Sequence, residues 1–180
     1  MAIGVGGQRL DPVMGYNFLI TFVESSSLLA SVLSGIQNVV LGGFSECTGL
    51  ESALQIEDYN EGGNNIGALR FPTRIAWTNI RLKRGAALSD DLWKWHYSFL
   101  EGTGKRRDGV ITLQNDRHEP VKVWYFTRGL PVKWTGPALN AMQSQLAVEE
   151  LEIAHEGLKL YSPGATAAGA IGGAVKSLFG

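Results

Sequence analysis

The amino-acid sequence predicts a single, mainly β domain with one flanking helix and one extended hairpin loop. Short segments of alternating or strand-forming composition recur along the chain, and Asp90–Leu100 carries the clearest helical stripe. The segment Gly43–Arg84 contains two alternating runs that flank a loop rich in Glu, Gly and Asn. At 180 residues the chain is long enough to bury a core of its own.

The N-terminal half is predicted to start with a flexible arm and to continue into strands. Residues 1–15 are Gly-rich, and Asn17–Val23 has strand composition. Ser25–Gln37 is predicted as a short helix, because its first serines can cap a helix and its apolar residues follow helical spacing. Asn38–Phe44 and Ser52–Tyr59 are predicted as two further strands.

A long polar loop, called the flap here, extends from Tyr59 to about Thr73. Its glycines and asparagines reach backbone conformations that are closed to most residues, and few of its side chains could pack against their own domain. Such a segment is either a mobile lid over a site or an arm that reaches another subunit. The residues predicted to act in this way are Tyr59, Asn60, Glu61, Gly62, Gly63, Asn64, Asn65 and Arg70.

The next two elements are a strand and a helix. Asn79–Arg84 alternates, with apolar residues on one face and Arg81, Lys83 and Arg84 mostly on the other. The helix is predicted over about residues 89–101, because Ser89 is a good cap and the two aspartates that follow suit the positive helix start.

Beyond the helix, the sequence predicts a basic turn, two strands and a tail. Gly102–Asp108 is the turn, and Val110–Gln114 and Val121–Thr127 are the strands. Leu146–Ile153 combines helical propensity with strand alternation, so its residues alone leave both structures open. Residues 161–180 are dominated by glycine and alanine, which indicates an appendage beyond the folded core.

Signals for catalysis and for metal or cofactor binding are weak, and the chain is predicted to be no enzyme and to use no cofactor. Glu57, Asp58 and Glu61 form an acidic cluster that is more typical of a solvated strand end than of a metal or acid–base site. The three histidines lack ligand spacing, and His155 is interpreted as a surface partner of Glu156.

Two further motifs resemble reactive sites only superficially. Cys47 has no nucleophile signature around it, so a small buried strand residue is the better interpretation. Gly102–Lys105 lacks the first glycine and the hydroxyl residue of a phosphate loop. It is better interpreted as part of a basic turn, in which Lys105, Arg106 and Arg107 could contact an acidic partner.

Charge and hydropathy restrict the remaining function classes. The net charge of -1 argues against a basic nucleic-acid binder, and the five tryptophans are expected in core and interface positions. The N-terminus shows no secretory signal, and the apolar stretch Leu28–Phe44 is interrupted by polar residues, so it is not expected to span a membrane.

Several segments, taken in order, resemble the tail tube proteins of contractile injection systems and phage tails, a family similar to the haemolysin-coregulated protein of type VI secretion. The resemblance covers about residues 10–160. Its segments are GFSECTGL (Gly43–Leu50), YNEGGNN (Tyr59–Asn65), RLKRG (Arg81–Gly85), LWKW (Leu92–Trp95), RRDGVITL (Arg106–Leu113), PVKWTGPALNA (Pro131–Ala141) and VEELEIAHEGL (Val148–Leu158).

The resemblance implies a β-sandwich or barrel-like tail tube domain over residues 16–160, with Leu146–Ile153 as a strand and the flap as an arm to a neighbouring subunit or ring. It implies a structural protein whose hexameric rings stack into a hollow tube. The implied partners are further copies of the chain, a sheath around the tube, spike and baseplate proteins at its tip, and a cargo or tape-measure protein in its lumen.

The resemblance also implies assembly in the cytoplasm into a phage-tail-like particle. Residues 24–40 look longer than the turn that is usual there, and the tail 161–180 is extra. Both features fit the main tube protein, and both also fit a specialised ring that joins the tube end to the spike or baseplate. An effector carried by the particle, with the acidic cluster as its site, is a third and weaker interpretation.

Overall fold

The structure, a computed structural model, describes residues 12–24, 39–40, 43–62, 67–86 and 89–161. Most of the predicted N-terminal arm, the predicted helix Ser25–Gln37 and the tail from residue 162 onwards lie outside these residues. Gly63, Asn64 and Asn65 of the flap also lie outside them.

The described residues form ten strands and one helix. Alternating apolar residues specify most of the strands, and the helix begins at Asp91, which suits its positive end. In chain order the elements are β1 (Phe18–Glu24), β2 (Val39–Val40), β3 (Glu46–Thr48), β4 (Ser52–Tyr59), β5 (Leu69–Trp77), β6 (Ile80–Gly85), α1 (Asp91–Leu100), β7 (Arg107–Gln114), β8 (Pro120–Thr135), β9 (Val148–Ala154) and β10 (Gly157–Tyr161).

Strand β8 belongs to two antiparallel sheets. Its first half pairs with β7 on one side and β10 on the other, and β7 continues through β1 to β2. Its second half pairs with β9, which continues through β6 to β3. Within the described residues, β4 and β5 pair with each other and form a separate two-stranded sheet.

A bend in β8 lets one strand enter both sheets. Arg128 has a φ of 52°, and its backbone N–H donates to Asp108 Oδ1 at 2.6 Å. The buried Asp108 also accepts from the Tyr125 hydroxyl at 3.0 Å. Burial and the nearby Asp108 carboxylate raise the pKa of Tyr125. Asp108 therefore satisfies a backbone donor at the point where the β7–β8 register shifts.

The two sheets and the helix share one hydrophobic core. Sheet residues from β1, β7 and β8 meet residues from β6 and β9, and Leu92 and Trp95 of α1 complete the cluster. Gly109 lies so close to the Phe126 ring that a Cβ would be 2.2 Å from it. The core residues of the sheets are Ile20, Phe22, Ile80, Leu82, Ile111, Phe126, Leu151 and Ile153.

The predicted fold class, mainly β with one helix and an extended hairpin, is confirmed. The strands at 17–23, 52–59, 110–114 and 121–127 and the helix form where they were predicted, within one to three residues at most ends. Leu146–Ile153 is a strand, β9, as the resemblance implied.

Four predictions of local structure were wrong. Asn38–Phe44 is not one strand, because Gly43 and Phe44 lie outside any strand and β3 begins at Glu46. The flap ends earlier than Thr73, because β5 begins at Leu69. Strand β8 continues to Thr135, well beyond the predicted Thr127. The side chain of Arg84 is buried, whereas the prediction placed it on the polar face.

Candidate functional site

The hairpin of β4 and β5, residues 52–77, is called the arm and is the most exposed element of the described structure. Every residue of β4 is exposed, and so are the residues of β5 from Leu69 to Ile75. The backbone of the arm is paired only between its own two strands in the described residues. An isolated two-stranded hairpin is marginally stable in water, so this element is expected to be covered by a partner.

One face of the arm carries an apolar patch near the body, called the proximal patch. The register places Leu54 opposite Ile75 and Ile56 opposite Pro72. Residues opposite each other share a face, and alternate residues of a strand do so as well. Leu54, Ile56 and Ile75 are 54–58% exposed. Further out, the same face carries an ion pair.

That ion pair joins Asp58 and Arg70, whose side chains lie 3.3 Å apart and are both largely exposed. The two residues are direct register partners. The outer half of this face is therefore charged and internally neutralised, and the apolar surface is confined to the half near the body.

The opposite face carries a second apolar patch near the tip, called the distal patch. Tyr59 lies opposite Leu69, and Phe71 is the next residue of β5 on that face. The Tyr59 and Phe71 rings meet edge to face, with centroids 6.3 Å apart. The three side chains are 42–58% exposed. Both faces of the arm thus present apolar surface, at different distances from the body.

The root of the arm is fixed to the body by backbone and side-chain contacts. Gly49 has a φ of 85°, and a Cβ on it would lie 2.0 Å from the Asn79 carbonyl oxygen. The Thr78 N–H donates to the Glu51 carbonyl at 3.4 Å. Asn79 donates through Nδ2 to Glu152 Oε1 at 2.8 Å. The two strands of the arm therefore leave the body at a defined position.

His155, which directly follows β9, also contacts the root of the arm. Its Nε2 lies 3.1 Å from the Thr78 carbonyl oxygen, so Nε2 donates, and its ring centroid is 5.8 Å from that of Trp77. Burial lowers the pKa of His155 below 6.5. The prediction that His155 pairs with Glu156 was wrong, because Glu156 binds Arg106 and Arg128 instead.

The structure divides the predicted flap residues between strand, loop and undescribed segment. Tyr59 ends β4, and Arg70 belongs to β5. Asn60, Glu61 and Gly62 are exposed loop residues. The sequence interpretation missed the apolar residues of the arm. The sequence of β4 did indicate them. Leu54 and Ile56 stand at even positions and Tyr59 at an odd one, so apolar side chains lie on both faces of the strand. This pattern is typical of a strand that is covered on both faces.

The residues of the predicted basic turn are engaged within the chain. The Lys105 carbonyl accepts from Trp95 Nε1 at 2.9 Å. Arg106 pairs with Glu156 at 2.5 Å, and the Arg107 guanidinium lies 5.0 Å from the Trp95 ring centroid. Contact of this turn with a partner stays a prediction.

The acidic cluster does not converge on one point. Consecutive strand residues point to opposite faces, so the side chains of Glu57 and Asp58 diverge, and Asp58 binds Arg70. Across the described residues, no group of three or more His, Cys, Asp and Glu side chains is close enough to hold a metal ion.

The other candidate reactive residues have structural surroundings. Burial raises the pKa of Cys47 to about 12, which disfavours the reactive thiolate. Gly104 lies against the Phe99 ring, where a Cβ would be 2.4 Å from it, so this turn is packed against an aromatic side chain. His96 lies 3.1 Å from the Pro131 carbonyl oxygen.

The helix α1 contributes both core and surface aromatic residues. The buried Trp95 confirms that tryptophans enter the core, and the interface role predicted for others stays a prediction. Trp95 is buried against Phe22, with ring centroids 5.2 Å apart. Trp93 is partly exposed and meets Trp134 of β8 edge to face at 4.7 Å. Among the described residues, no helix has the length and apolar character needed to cross a bilayer.

A sequence model of the family described as T4-like virus tail tube protein gp19 matches residues 16–159. No curated protein matches the chain. The chain is similar in structure to one in the baseplate of the anti-feeding prophage, 6-fold symmetrised, with a TM-score of 0.72 and 23% identity over 86% of this chain and 98% of that one.

Two other solved structures have the same fold. One is a chain of the sheath-tube complex of an extracellular contractile injection system, PVC, in the extended state, with a TM-score of 0.68 and 22% identity over 84% of this chain and 92% of that one. The other is a chain of the anti-feeding prophage cap that terminates the tube, with a TM-score of 0.70 and 20% identity over 90% and 99%.

Proposed function

Because the chain belongs to the T4-like virus tail tube protein family, we propose that it is a structural subunit of the inner tube of a contractile, phage-tail-like injection system. Six copies close into a ring, and the rings stack into a hollow conduit for cargo. The chain acts by assembling, and it catalyses no reaction.

The arm is the observation that carries this proposal. The body has its own buried core, whereas the arm presents three large apolar side chains on each face to solvent. Each such side chain exposes roughly 100 Å², about half of a large apolar residue, so each face of the arm exposes a patch of roughly 300 Å². Exposed apolar patches of this size are often functional, and we interpret both as contact sites for another molecule. A head-to-tail contact of this kind generates rings and stacks.

The open edges of the sheets support the same proposal. In the described part of the chain, β3 and β10 each pair on one side, and so does the second half of β8. Exposed strand edges template unwanted association unless another strand or element covers them. Pairing between subunits in a closed ring covers such edges.

The proposed partners follow from the position of an inner tube. Further copies of the chain cover the arm, a sheath surrounds the tube, and spike and baseplate proteins bind its tip. A cargo or tape-measure protein occupies the lumen. Assembly takes place in the cytoplasm, where the particle forms.

A specialised tube-end ring is the alternative. The solved chains of the same fold come from a tube-terminating cap and from a baseplate, as well as from a sheath-tube complex. The segment 24–40 and the tail 161–180, which the resemblance marks as longer than usual, fit an end ring as well. We favour the main tube because the arm offers apolar surface on both faces, which suits a subunit with neighbours on several sides.

The test is electron microscopy and sedimentation velocity of the purified full chain over a range of concentrations. A main tube subunit forms rings that stack into tubes of increasing length. An end ring forms single rings that bind the spike and do not polymerise. A chain that stays monomeric at high concentration, and also when it is co-expressed with sheath or spike proteins, contradicts both assignments.

The effector interpretation is tested separately. Glu57→Gln and Asp58→Asn together remove both carboxylates of the cluster while they keep the shape of the side chains. We expect assembled particles that carry this variant to lose none of their activity. Loss of an enzymatic activity with intact assembly would instead support the effector interpretation.

A further inference from the structure

The outward face of the sheet formed by β3, β6, β9 and the second half of β8 consists of charged and threonine side chains. The inward face supplies Ile80, Leu82 and Leu151 to the core, and the alternate residues of each strand point the other way. The register aligns these outward residues in two rows across the four strands, called the charged face. One row is Thr48, Arg81, Glu152 and Lys133, and the other is Glu46, Lys83, Glu150 and Thr135.

The sign of the charge changes from each strand of the charged face to the next. β3 contributes one carboxylate, β6 two cations, β9 two carboxylates and β8 one cation, so the face has no net charge. Arg81 Nε lies 3.6 Å from Glu152 Oε2, and Lys83 Nζ lies 2.9 Å from Glu46 Oε2. Lys133 is a second register partner of Glu152. Every carboxylate of the face therefore stands opposite a cation.

This alternation gives the charged face only a short-range electric field. Neighbouring strands lie about 4.8 Å apart, so charges of one sign repeat about every 10 Å across the face. At distances larger than this repeat the opposite charges cancel, and salt at physiological concentration screens the remainder over about 8 Å. A molecule separated from the face by a few layers of water is therefore neither attracted nor repelled strongly.

The outward face of the other sheet is of a different kind. Leu19, Thr112 and Val123 form one row there, and Val110 and Tyr125 lie side by side in the next. Apolar side chains are stabilised by a cover, whereas charged side chains lose free energy of hydration when they are covered. Of the two outward faces, the charged face is the one that suits a water-filled channel.

The edges of the charged face favour the same position. β3 and the second half of β8 border it, and within the described strands each has one open side. β3 carries Glu46 and β8 carries Lys133. In a ring of copies that meet edge to edge, these opposite charges come together, and the alternation continues from one copy to the next. The core fills the inward side of the sheet, which leaves the charged face for the channel.

On the basis of the proposed function, we infer that the charged face lines the channel of the tube and that the cargo is polypeptide of either net charge. The lining presents paired charges of both signs, so it holds neither an acidic nor a basic chain. The channel therefore does not select its cargo by the sign of the charge.

The test measures how much charged polypeptide stays inside assembled tubes. The full chain is assembled with fluorescein-labelled polyglutamate, polylysine or an uncharged polymer, and tubes are separated from free probe by sedimentation. An anti-fluorescein antibody then quenches the probe on the outer surface, because an antibody is too large to enter the channel. The fluorescence that remains reports the probe inside.

Two double variants change the charge of the lining in opposite directions. Glu46→Gln with Glu150→Gln removes two carboxylates in each copy, and Lys83→Gln with Lys133→Gln removes two cations. The matched controls make the same changes of charge at exposed residues outside the charged face. These controls are Glu101→Gln with Glu119→Gln, and Lys94→Gln with Lys122→Gln.

Wild-type tubes are expected to protect no more of either charged probe than of the uncharged polymer. The first variant is expected to protect about tenfold more polyglutamate and the second about tenfold more polylysine, because a channel lined by one sign concentrates the opposite charge. Both gains are expected to disappear at about 1 M salt. The two control pairs are expected to behave as the wild type.

Three results would overturn the inference. Wild-type tubes that protect one charged probe and not the other would show a lining that selects by charge. Variant tubes whose bound probe is fully quenched would show that the charged face lies outside the channel. Equal protection by a variant and its control pair would show that this face does not set retention.

A failure of the proposed function gives a different result, because electron microscopy of the wild-type chain then shows no tubes before any probe is added. If a double variant does not assemble, Glu150→Gln and Lys133→Gln alone make the same comparison with half the change of charge. Each single change is expected to shift retention in the direction of its double variant, and no shift would count against the inference.

Discussion

At the scale of single residues, the structure depends on a few side chains that satisfy unusual backbone positions. Asp108 accepts from the Arg128 N–H at the bend of β8, and Gly49 allows close approach of the Asn79 carbonyl at the root of the arm. Neither role can be predicted from sequence, because each depends on a contact with a residue 20 or more positions away. A glycine or a buried aspartate indicates an unusual backbone position, but only the fold shows which residue it contacts.

Gly49→Ala is expected to destabilise the chain strongly. A Cβ at this position would lie 2.0 Å from the Asn79 carbonyl oxygen, and the φ of 85° is unfavourable for alanine. The positive φ alone costs about 1 kcal/mol, and the backbone clash adds to it. Urea unfolding measures the effect. Gly85→Ala is the control, because a Cβ there meets nothing within 4 Å; an equal effect of both changes would refute this explanation.

His155 is expected to make stability depend on pH. Burial lowers its pKa in the folded chain below 6.5, so below that pH the unfolded chain takes up a proton that the folded chain resists. The stability that neutral His155 contributes is complete above about pH 6.5 and is lost as the pH falls through the lowered value.

The measurement is the difference in unfolding free energy between the wild type and His155→Gln at pH 7.5, 6.5 and 5.5. Glutamine keeps a donor for the Thr78 carbonyl but does not titrate. The wild type is expected to lose stability relative to the variant as the pH falls. A constant difference over this range would contradict the prediction.

At the scale of elements, the strands and the helix with regular local patterns were predictable, and the elements that depend on distant partners were not. The helix α1 and strands β1 and β4 follow from their composition and apolar spacing. The prediction that Ser89 caps the helix was wrong, because the N-cap is Asp90 and its side chain makes no capping hydrogen bond. The length of β8 could not be predicted in this way, because Arg128, Gly129 and Pro131 interrupt its strand-like alternation. The bend that joins its two halves depends on Asp108. The flap was predicted, but its two apolar patches became visible only from the register of β4 and β5.

Arg84 shows why the charge of a strand residue does not predict which face of the sheet its side chain occupies. It has the same parity as Ile80 and Leu82, and it is buried with them because Glu149 of β9 lies 2.5 Å from its Nε. Its Nη2 donates to the Ser89 carbonyl at 3.0 Å, just before α1, and Trp134 Nε1 donates to the same glutamate. This buried pair connects β6, β8 and β9 to the start of the helix.

Arg84→Met is expected to cost about 3 kcal/mol or more, because it leaves Glu149 buried without its cation. The double variant with Glu149→Met is expected to cost less than the sum of the two single changes. Lys83→Met is the control, since the Lys83–Glu46 pair is exposed to solvent and contributes little to stability. If the losses of unfolding free energy caused by the two single changes simply add in the double variant, Arg84 and Glu149 are not coupled.

Deletion of Gly62–Gly67 is expected to leave a folded monomer and to impair assembly. It removes only residues that follow the end of β4 and precede the start of β5 in the sequence, and it leaves Asn60, Glu61 and Ala68 to connect the two strands. Circular dichroism checks folding, and sedimentation velocity checks assembly. Loss of monomer folding, or tubes that form as readily as with the full chain, would contradict the role of the tip.

At the scale of the whole molecule, the chain combines a body that has its own buried core with an arm whose large apolar side chains are exposed. We expect the body to fold by itself and the arm to contact further copies of the chain. The family assignment from sequence was confirmed by the match over residues 16–159 and by the fold. The number of copies in a ring and the identity of each neighbour of the arm remain proposals, since they depend on surfaces of more than one chain.

The melting temperature of the full chain is expected to rise with protein concentration, because assembly stabilises the folded state by mass action. The chain with Gly62–Gly67 deleted is expected to melt at a nearly constant temperature over the same range. Scanning calorimetry at concentrations that differ a hundredfold checks both. A concentration-independent melting temperature of the full chain would mean that assembly does not contribute to its stability.

The shared strand β8 also determines how a mechanical load passes through one subunit. Its sixteen residues form a continuous backbone through both sheets, with a contour length of about 50 Å. A force on one sheet therefore reaches the other through covalent bonds, and sliding of the sheets past each other would require the bend at Arg128 to unfold first. Under a thrust along its surface, the subunit is expected to move as one rigid block, and the arm is expected to be the part that yields.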